Sequence, residues 1–579
     1  MSDSLVSSAR PLGAPLGWPA RLLLAGAVLV IFFAGLGAYP LLEPDEGRYT
    51  EIPREMLASG DFVTPRLNGV LYFEKPPLYY WLNAAALTLP GRPETLSRLA
   101  GAFFGLAGIG LAWALGRSIG GRRVGLISGI VLGSSPLWVA LSRAAIIDMT
   151  LTFFLSATLT CFWLAQSKDR GDRGERLLWY GMFASAALAT LAKGLIGFLI
   201  PGAVIFVFLL FARRWSLLLR VPWVGGILFF LAIAVPWHVL AARRNPDFLW
   251  FYFVHEHWLR YTTPEADREA PFWFFAPVLL LGLLPWSGLL PAVVALFRRG
   301  AEPLRRRPEL IFLASWAGFI FLFFSASHSK LVPYVLPACP PLAVLAALSF
   351  QTENEDGRAR SRILRGGAIL GAVVLALLSG LFLWAALGKV PQYSDDFSPI
   401  LFVFSLLALA TAGLAGVLWW RKGPEGRAPA ALAAASIFLI ACIWALGPRV
   451  GRQRSSREIA RVLAARLQPG DEVYSYHYYP QSLPVYLGRT IGVVHFRGEM
   501  AFGIDHLPPA EHLRRFPTAG EFRPTWESPR TIYLVLERRD LHRLIADGLV
   551  PGPVLLGQDK LLLMTNRPQA EARVPEIHK

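Results

Sequence analysis

Two short runs near the start of the chain carry the residue types of transfer chemistry. The first reads Leu42-Glu43-Pro44-Asp45-Glu46-Gly47-Arg48-Tyr49. Pro44 suits the first turn of a helix, and acids there complement the helix dipole. Asp45, Arg48 and Tyr49 then fall at i, i+3 and i+4, on one face. A carboxylate beside a guanidinium stays ionised, so Asp45 can act as a general base or orient an acceptor. A surface helix with ordinary ion pairs has the same spelling. The second run is Tyr72-Phe73-Glu74-Lys75-Pro76-Pro77. Its two prolines lock an extended backbone and fix Glu74 and Lys75 at a rigid corner. A lysine there, close to a membrane, suits a lipid phosphate as a point charge; a lysine snorkelling from the membrane edge is the alternative.

Other charged residues sit at the ends of apolar stretches. Asp148 follows Arg143-Ala144-Ala145-Ile146-Ile147, and Lys193 stands between two apolar segments. Ionisable groups at membrane depth are costly and mark function by default. His255-Glu256-His257, followed by Arg260, has a metal-like His-x-His spelling. On a strand the two rings point apart, and on a helix they align poorly. One histidine joined to a carboxylate from another loop is therefore the better metal reading, and an interfacial aromatic belt the plainer one. In Ser327-His328-Ser329-Lys330-Leu331-Val332-Pro333-Tyr334-Val335-Leu336-Pro337, the prolines predict a broken helix. Such breaks line cavities, and Tyr334 would point its hydroxyl there.

These residues need a scaffold, and composition identifies it. The chain has 579 residues, 54% hydrophobic and 17% charged, with mean hydropathy +0.44. A soluble protein of this size carries about a quarter charged residues. The apolar excess gathers in about thirteen stretches of roughly 18–25 residues, each long enough to cross a bilayer as a helix. They run at 21–38, 97–116, 124–141, 144–166, 177–192, 194–212, 223–241, 272–297, 309–326, 331–349, 366–387, 398–420 and 430–448. Every second gap is basic: Arg117 to Arg123, Lys168 to Arg176, Arg213 to Arg220, Arg298 to Arg307, Arg358 to Arg365, and Arg421 to Arg427. The positive-inside rule puts those gaps and the N-terminus in the cytoplasm and the C-terminus outside. It also accounts for the net charge of +17 without nucleic acid, while anionic membrane lipids remain compatible. The first stretch is too long for a removed signal peptide and reads as a retained anchor. Cys161, Cys339 and Cys442 all lie in apolar segments, which points away from disulfides and thiolate metal sites.

The outer gaps include long loops at 39–95 and 242–271, natural places for a membrane-embedded site. From 449 to 579 the pattern changes. Helical runs at Ser456–Leu467, 481–487 and Asp540–Ile545 alternate with strand-like runs at Glu472–Tyr479, Thr490–Phe496 and Thr531–Leu536. That predicts a small outer α/β domain. It has no Gly-rich nucleotide fingerprint, so no nucleotide cofactor is expected and no chemistry is assigned to it. The division is thus a transmembrane part, 1–448, and a C-terminal part, 449–579.

Taken together, Asp45-Glu46-Gly47-Arg48-Tyr49, Arg66-Leu67-Asn68-Gly69 through Tyr72-Phe73-Glu74-Lys75-Pro76-Pro77-Leu78, Arg143 to Asp148, and Lys330 to Pro337 resemble the bacterial lipid A aminoarabinose transferase family. That family belongs with the protein O-mannosyltransferases in the GT-C class of polytopic glycosyltransferases. The resemblance covers essentially the whole chain. It implies inverting transfer of a sugar, 4-amino-4-deoxy-L-arabinose, from undecaprenyl phosphate to a lipid A phosphate, at the periplasmic face of the bacterial inner membrane.

By the same resemblance Asp45 is the key carboxylate near the acceptor. A phosphate acceptor is already ionised, so Asp45 positions groups rather than removing a proton. Lys75, with Arg48 and Lys193, would neutralise the departing lipid phosphate in a basic site. Tyr49, Tyr72 and Tyr334 would frame the sugar-phosphate pocket, with Asp148 and Arg260 lining the same cavity. Glu74 and His255 would be the partners of a divalent metal, zinc or similar. A glycosyltransferase acting on protein or another envelope acceptor is the runner-up, in which Asp45 would be a true base. A transporter ranks lower, because transporters show repeated halves with midplane charges and here the charges gather at one face.

Overall fold

The computed structural model describes residues 26, 28–259, 269–298, 305–350, 357–384, 398–422, 428–558 and 560–567. Among these, six helices are long and apolar enough to cross a membrane, or seven if one bent pair counts as a span. Their outward faces are apolar: on the helix Trp223–Arg244, Val224 is 77% and Leu228 62% exposed. Such a surface has no place in water and faces lipid. The inward faces form one large core that includes Trp138, Trp163, Phe208, Phe312 and Trp316.

Several spans differ from the expected ones. Leu99–Gly133 is two helices joined at Gly120 and Gly121. Gly121 takes φ +79, a conformation open to a residue without Cβ, and the basic Arg117–Arg123 gap lies at this turn. The second half stops at Gly133, and Pro136–Ser142 is a separate short helix, so the expected span 124–141 is interrupted. Pro136 starts that helix because its missing N–H is no loss there. The expected single span 272–297 is broken: Phe272–Gly282 and Trp286–Ala295 meet at 106°. Pro285 stands at the corner, where its ring and absent N–H end the first helix. The expected break at Pro333 and Pro337 takes the form of a tight 3-10 turn, Val332–Ala338, leading into the helix Cys339–Leu348. Of the first apolar stretch, 21–38, residues 26 and 28–38 fall among the described ones.

The C-terminal region holds a five-stranded sheet: β3 Glu472–Tyr476, β4 Gly492–Val494, β5 Ile532–Glu537, β6 Val554–Gln558 and β7 Leu561–Thr565, in the order β4-β3-β5-β7-β6. The three strands anticipated from sequence run parallel to one another, and the β6–β7 hairpin closes one side antiparallel. Side chains alternate strictly, as the strand period requires. Tyr474, Leu534 and Leu562 pack on one face with Phe522 and Trp526. Val473, Val535 and Leu563 pack on the other, and that second core also contains Tyr49, Ile52, Met56, Leu67, Tyr72, Tyr79 and Tyr80 from the first long loop. Loop 39–95 and the C-terminal sheet therefore share one hydrophobic core.

The loop is well structured for that role. Its helix spans Asp45–Ser59 and its hairpin pairs β1 Arg66–Leu67 with β2 Val70–Leu71. Asn68 and Gly69, both at positive φ, make the two-residue turn such hairpins favour. The Asn68 amide then exchanges two 2.9 Å hydrogen bonds with the backbone of Ile491.

Candidate active site

The helix Asp45–Ser59 presents Asp45, Arg48 and Tyr49 on one face, as their spacing dictates. That face opens into a cavity of about 250 Å³. The Glu74–Lys75 corner, Asp148 in the first turn of Ile147–Gln166, Lys193 closing Arg173–Lys193, Glu256, and the turn from Ser327 to Pro337 supply the other walls. Eight expected residues thus line one cavity: Asp45, Arg48, Tyr49, Glu74, Lys75, Asp148, Lys193 and Tyr334. Leu151, Leu155, Ile196, Phe323, Phe324 and Leu331 make its apolar side.

The charges are interlaced. Lys193 donates to Asp148 and sits 4.9 Å from the centre of the Tyr334 ring. Lys75 Nζ lies 3.9 Å from Glu74 Oε2 and 3.6 Å from Glu256 Oε2, and donates to the Glu74 carbonyl at 2.8 Å. Arg48 stands 3.8 Å from Asp45 and 3.2 Å from Glu499. Burial opposes the Arg48 charge, but Tyr72, Glu499, Tyr49 and Glu74 around it hold its pKa well above the usual value. Four carboxylates and three cations line the cavity, so the expectation of a simply basic site is corrected. Every cation already has a carboxylate partner, and an anionic ligand must take that partner's place.

Behind the cavity a second set of acids fixes the helix. Glu46 binds Arg98 through two hydrogen bonds of 2.8 and 2.5 Å and accepts from the backbone N–H groups of Leu42 and Ala145 at 2.9 Å. Arg98 also donates to the carbonyls of Leu36, Tyr39 and Pro40, so its fork is filled. Glu43 accepts from the Ser482 amide at 2.9 Å and from the hydroxyls of Ser482 and Ser456. Burial nonetheless pushes its pKa up to about 7 against those donors. Glu55 accepts from Gly69 N–H and is likewise raised to about 8, by burial first and then by neighbouring Glu51. Gly47 makes the close approach possible: a Cβ there would lie 2.5 Å from the Ser482 nitrogen.

The remaining expected residues fall elsewhere. Tyr72 is buried behind Arg48, and its hydroxyl has no hydrogen-bond partner among the described residues. His255 stacks on Phe251 at 4.9 Å and reaches Glu256 at 3.5 Å, outside the cavity wall. Arg260 lies outside the described residues. Trp250–Leu259 winds as a π-helix, a form concentrated at functional sites, and it turns Glu256 rather than His255 into the cavity. The clue was the middle letter of His255-Glu256-His257, passed over for its flanking histidines. Glu499 and Gln481 have no local signal at all; Glu499 reaches Arg48, and Gln481 reaches Glu499, only through the fold, so the C-terminal region, to which the sequence assigns no chemistry, supplies a partner to a cavity cation.

For a divalent ion, Glu74 and His255 offer suitable donors. The Lys75 ammonium, however, already stands between Glu74 and Glu256. Among the described residues, the three-member group of metal-capable side chains that does assemble is His477, His495 and Asp547.

Residues 21–252 match the family model described as dolichyl-phosphate-mannose-protein mannosyltransferase. Residues 459–566 match the aminoarabinose transferase C-terminal domain. The undecaprenyl phosphate-alpha-4-amino-4-deoxy-L-arabinose arabinosyl transferase of Pseudomonas aeruginosa (strain UCBPP-PA14) is 33% identical over 423 residues, 72% of this chain and 74% of the relative. Its namesake from Aeromonas salmonicida is 33% identical over 359 residues, and the match spans 61% of this chain but only 64% of that relative's length. The crystal structure of ArnT from Cupriavidus metallidurans bound to undecaprenyl phosphate is similar with TM-score 0.82 and 31% identity, over 95% of this chain and 98% of that one. An oligosaccharyltransferase from Archaeoglobus fulgidus, at TM-score 0.52 and 14% identity over 90% of this chain and 70% of that one, shares the fold alone.

Proposed function

The chain belongs to the undecaprenyl phosphate-aminoarabinose arabinosyl transferase family, and on that premise we propose that it moves 4-amino-4-deoxy-L-arabinose from undecaprenyl phosphate to a phosphate of lipid A. The observation that carries this is the single cavity in which Arg48, Lys75 and Lys193 face acids from separate segments beside an apolar wall. That combination fits the two halves of a lipid phosphate, a charged head and a hydrocarbon tail.

In the reaction an oxygen of the acceptor phosphate attacks C1 of the sugar from the face opposite the leaving group. The bond between C1 and the donor phosphate oxygen breaks, and undecaprenyl phosphate departs with one more negative charge than it carried as a diester. Lys75 and Lys193 meet that charge, with Arg48 beside them. Preorganised cations of this kind act most strongly where charge develops in a site that excludes water. As the phosphate enters, it displaces Asp148 from Lys193 and the carboxylates from Lys75. No base is needed for an ionised acceptor, so Asp45, held by Arg48, orients the incoming groups. Tyr49 and Tyr334 bound the sugar, and Tyr72 supports Arg48 from behind.

A divalent ion on Glu74 and His255 would have to share Glu74 with Lys75, and no step of the transfer depends on it. The basic gaps support thirteen passes, with the helices flanking Gly121 crossing separately and the shorter apolar helices Ile196–Ala212, Val332–Leu348 and Pro429–Ala445 crossing too. On that count the N-terminus is cytoplasmic, and loops 39–95 and 242–271 are periplasmic together with a C-terminal domain, 449–579.

Mass spectrometry of lipid A from cells with and without the gene tests the reading, alongside Asp45→Asn. An added aminoarabinose mass that requires Asp45 is expected. Unchanged lipid A, with the lipid-linked donor present, overturns the acceptor assignment and leaves a different envelope acceptor.

A further inference from the structure

Outside the cavity, a second group of chemistry-bearing side chains assembles on the C-terminal sheet. His477 directly follows β3 and His495 directly follows β4, neighbouring parallel strands whose last paired residues are Tyr476 and Val494. The two histidines therefore stand side by side at the carboxyl ends of the strands, the edge at which open α/β sheets bind ligands. Their rings stack with centroids 4.4 Å apart. Asp547, closing the helix Leu541–Ala546, brings Oδ2 to 3.8 Å from His477 Nε2 and 3.9 Å from His495 Nδ1. One donor atom from each of the three lies within 4.8 Å of the others.

Three features show that this is a built arrangement. Both histidines hold φ +54, an uncommon conformation for a residue with a Cβ. Each is pinned there by its backbone: His477 N–H donates to the Val494 carbonyl and His495 N–H to the Pro517 carbonyl, both at 2.9 Å. The buried Tyr476 donates its hydroxyl to Asp547, as outer partners do for ligating carboxylates.

We propose that His477, His495 and Asp547 form a binding site for a borderline divalent transition metal, zinc foremost. Two imidazoles and one carboxylate are a zinc donor set, whereas magnesium and calcium favour oxygen alone. Ligand atoms around a tetrahedral zinc stand about 3.3 Å apart, so the two separations from Asp547, 3.8 and 3.9 Å, close by roughly half an ångström on binding. The exposed His495 and Asp547 give an ion its entry and leave a fourth position to water.

The site connects to the cavity. Gln481 lies four residues beyond His477 and Glu499 four beyond His495. The tips of these two strand exits meet, Gln481 donating to Glu499, which accepts from Arg48 at 3.2 Å. An ion that joins the two roots holds the two tips, and through them Arg48.

The test uses the full-length protein in detergent, stripped with a chelator and titrated with Co²⁺ as a spectroscopic probe. The expected result is cobalt ligand-field bands that zinc displaces, with a rise in melting temperature on zinc binding. His495→Gln and Asp547→Asn should abolish the bands. Tyr476→Phe should weaken binding by roughly 10–100-fold. The double variant Glu74→Gln/His255→Gln should keep them, which separates this site from any ion near the cavity. Asp547 is a surface residue, and size-exclusion chromatography verifies that its variant folds. Absence of the bands in the wild type, or cobalt binding unchanged in both ligand variants, overturns the proposal. Neither outcome depends on transferase activity.

Discussion

Asp45 and Glu46 are adjacent in the chain, yet they live in different solvents. The Asp45 side chain is 46% exposed at the cavity mouth. The Glu46 side chain is 4% exposed and locked to a fully buried Arg98. The contrast extends beyond this pair: Asp45, Arg48 and Tyr49 belong to the cavity, while Glu43, Glu46 and Glu55 tie the helix to Ser482, to Arg98 and to the Gly69 turn behind it. In the cavity, ions are paired at 3.2 to 3.9 Å around Arg48 and Lys75, separations that let a cation exchange one partner for another anion. Behind it, Glu46 has both oxygens filled by Arg98 and by the backbone N–H groups of Leu42 and Ala145, and cannot. One set of residue types therefore provides exchangeable charge on one face and fixed geometry on the other, and the fixed face is what aims the exchangeable one.

Removing Arg98 should have the largest effect. Arg98→Ala leaves Glu46 buried without its cation and frees three carbonyls, so folding should weaken by about 3–5 kcal/mol, read as loss of folded protein in detergent. A variant that stays folded and merely loses activity would erase the distinction between the two faces. Lys75→Ala should do the reverse. Transfer should fall by roughly 10²–10³-fold with the melting temperature unchanged, measured on purified protein with lipid-linked donor, and Asp45→Asn should behave alike.

Glu43 sharpens the comparison through pH. Its folded pKa, about 7, stands above the ordinary 4.5, so the folded state binds the proton more tightly than the unfolded chain. Its contribution is full below 4.5 and is lost as pH rises towards 7. Melting temperature should fall across that window, and Glu43→Gln should flatten the fall. An identical pH profile in the variant would sink the assignment. The smallest effect should come from Glu499→Gln, which weakens a partner of Arg48 without touching substrate. A change in KM of a few-fold to about tenfold, on the order of 1.4 kcal/mol at most, with kcat preserved, would mark Glu499 as a positioning residue. A loss as deep as that of Lys75→Ala would place it in the cavity chemistry instead.

Much of this was legible in the sequence where the signal is local. Asp45, Arg48 and Tyr49 share a face because a helix repeats every 3.6 residues, and the strand runs of the C-terminal region were readable from their composition. The breaks at Ser134-Ser135-Pro136 and Pro285 are not evident from hydropathy because long apolar runs flank each on both sides and outweigh the few breaking residues. The β6–β7 hairpin was missed as well, although Leu561–Thr565 is fully buried. Glu256 was hidden by two histidines that looked more like chemistry than it did.

The sequence by itself determined the membrane class and the local faces that carry Asp45 and Lys75, because hydropathy and helical period act between near neighbours. It could not determine that Glu499 and Gln481, more than 400 residues from Arg48, would brace it, nor that His477 and His495 would stack. Those pairings depend on strand order and on a core shared by two distant segments. No local preference encodes which face of a sheet meets which helix; burial of both apolar faces at once does, and only the folded chain satisfies it.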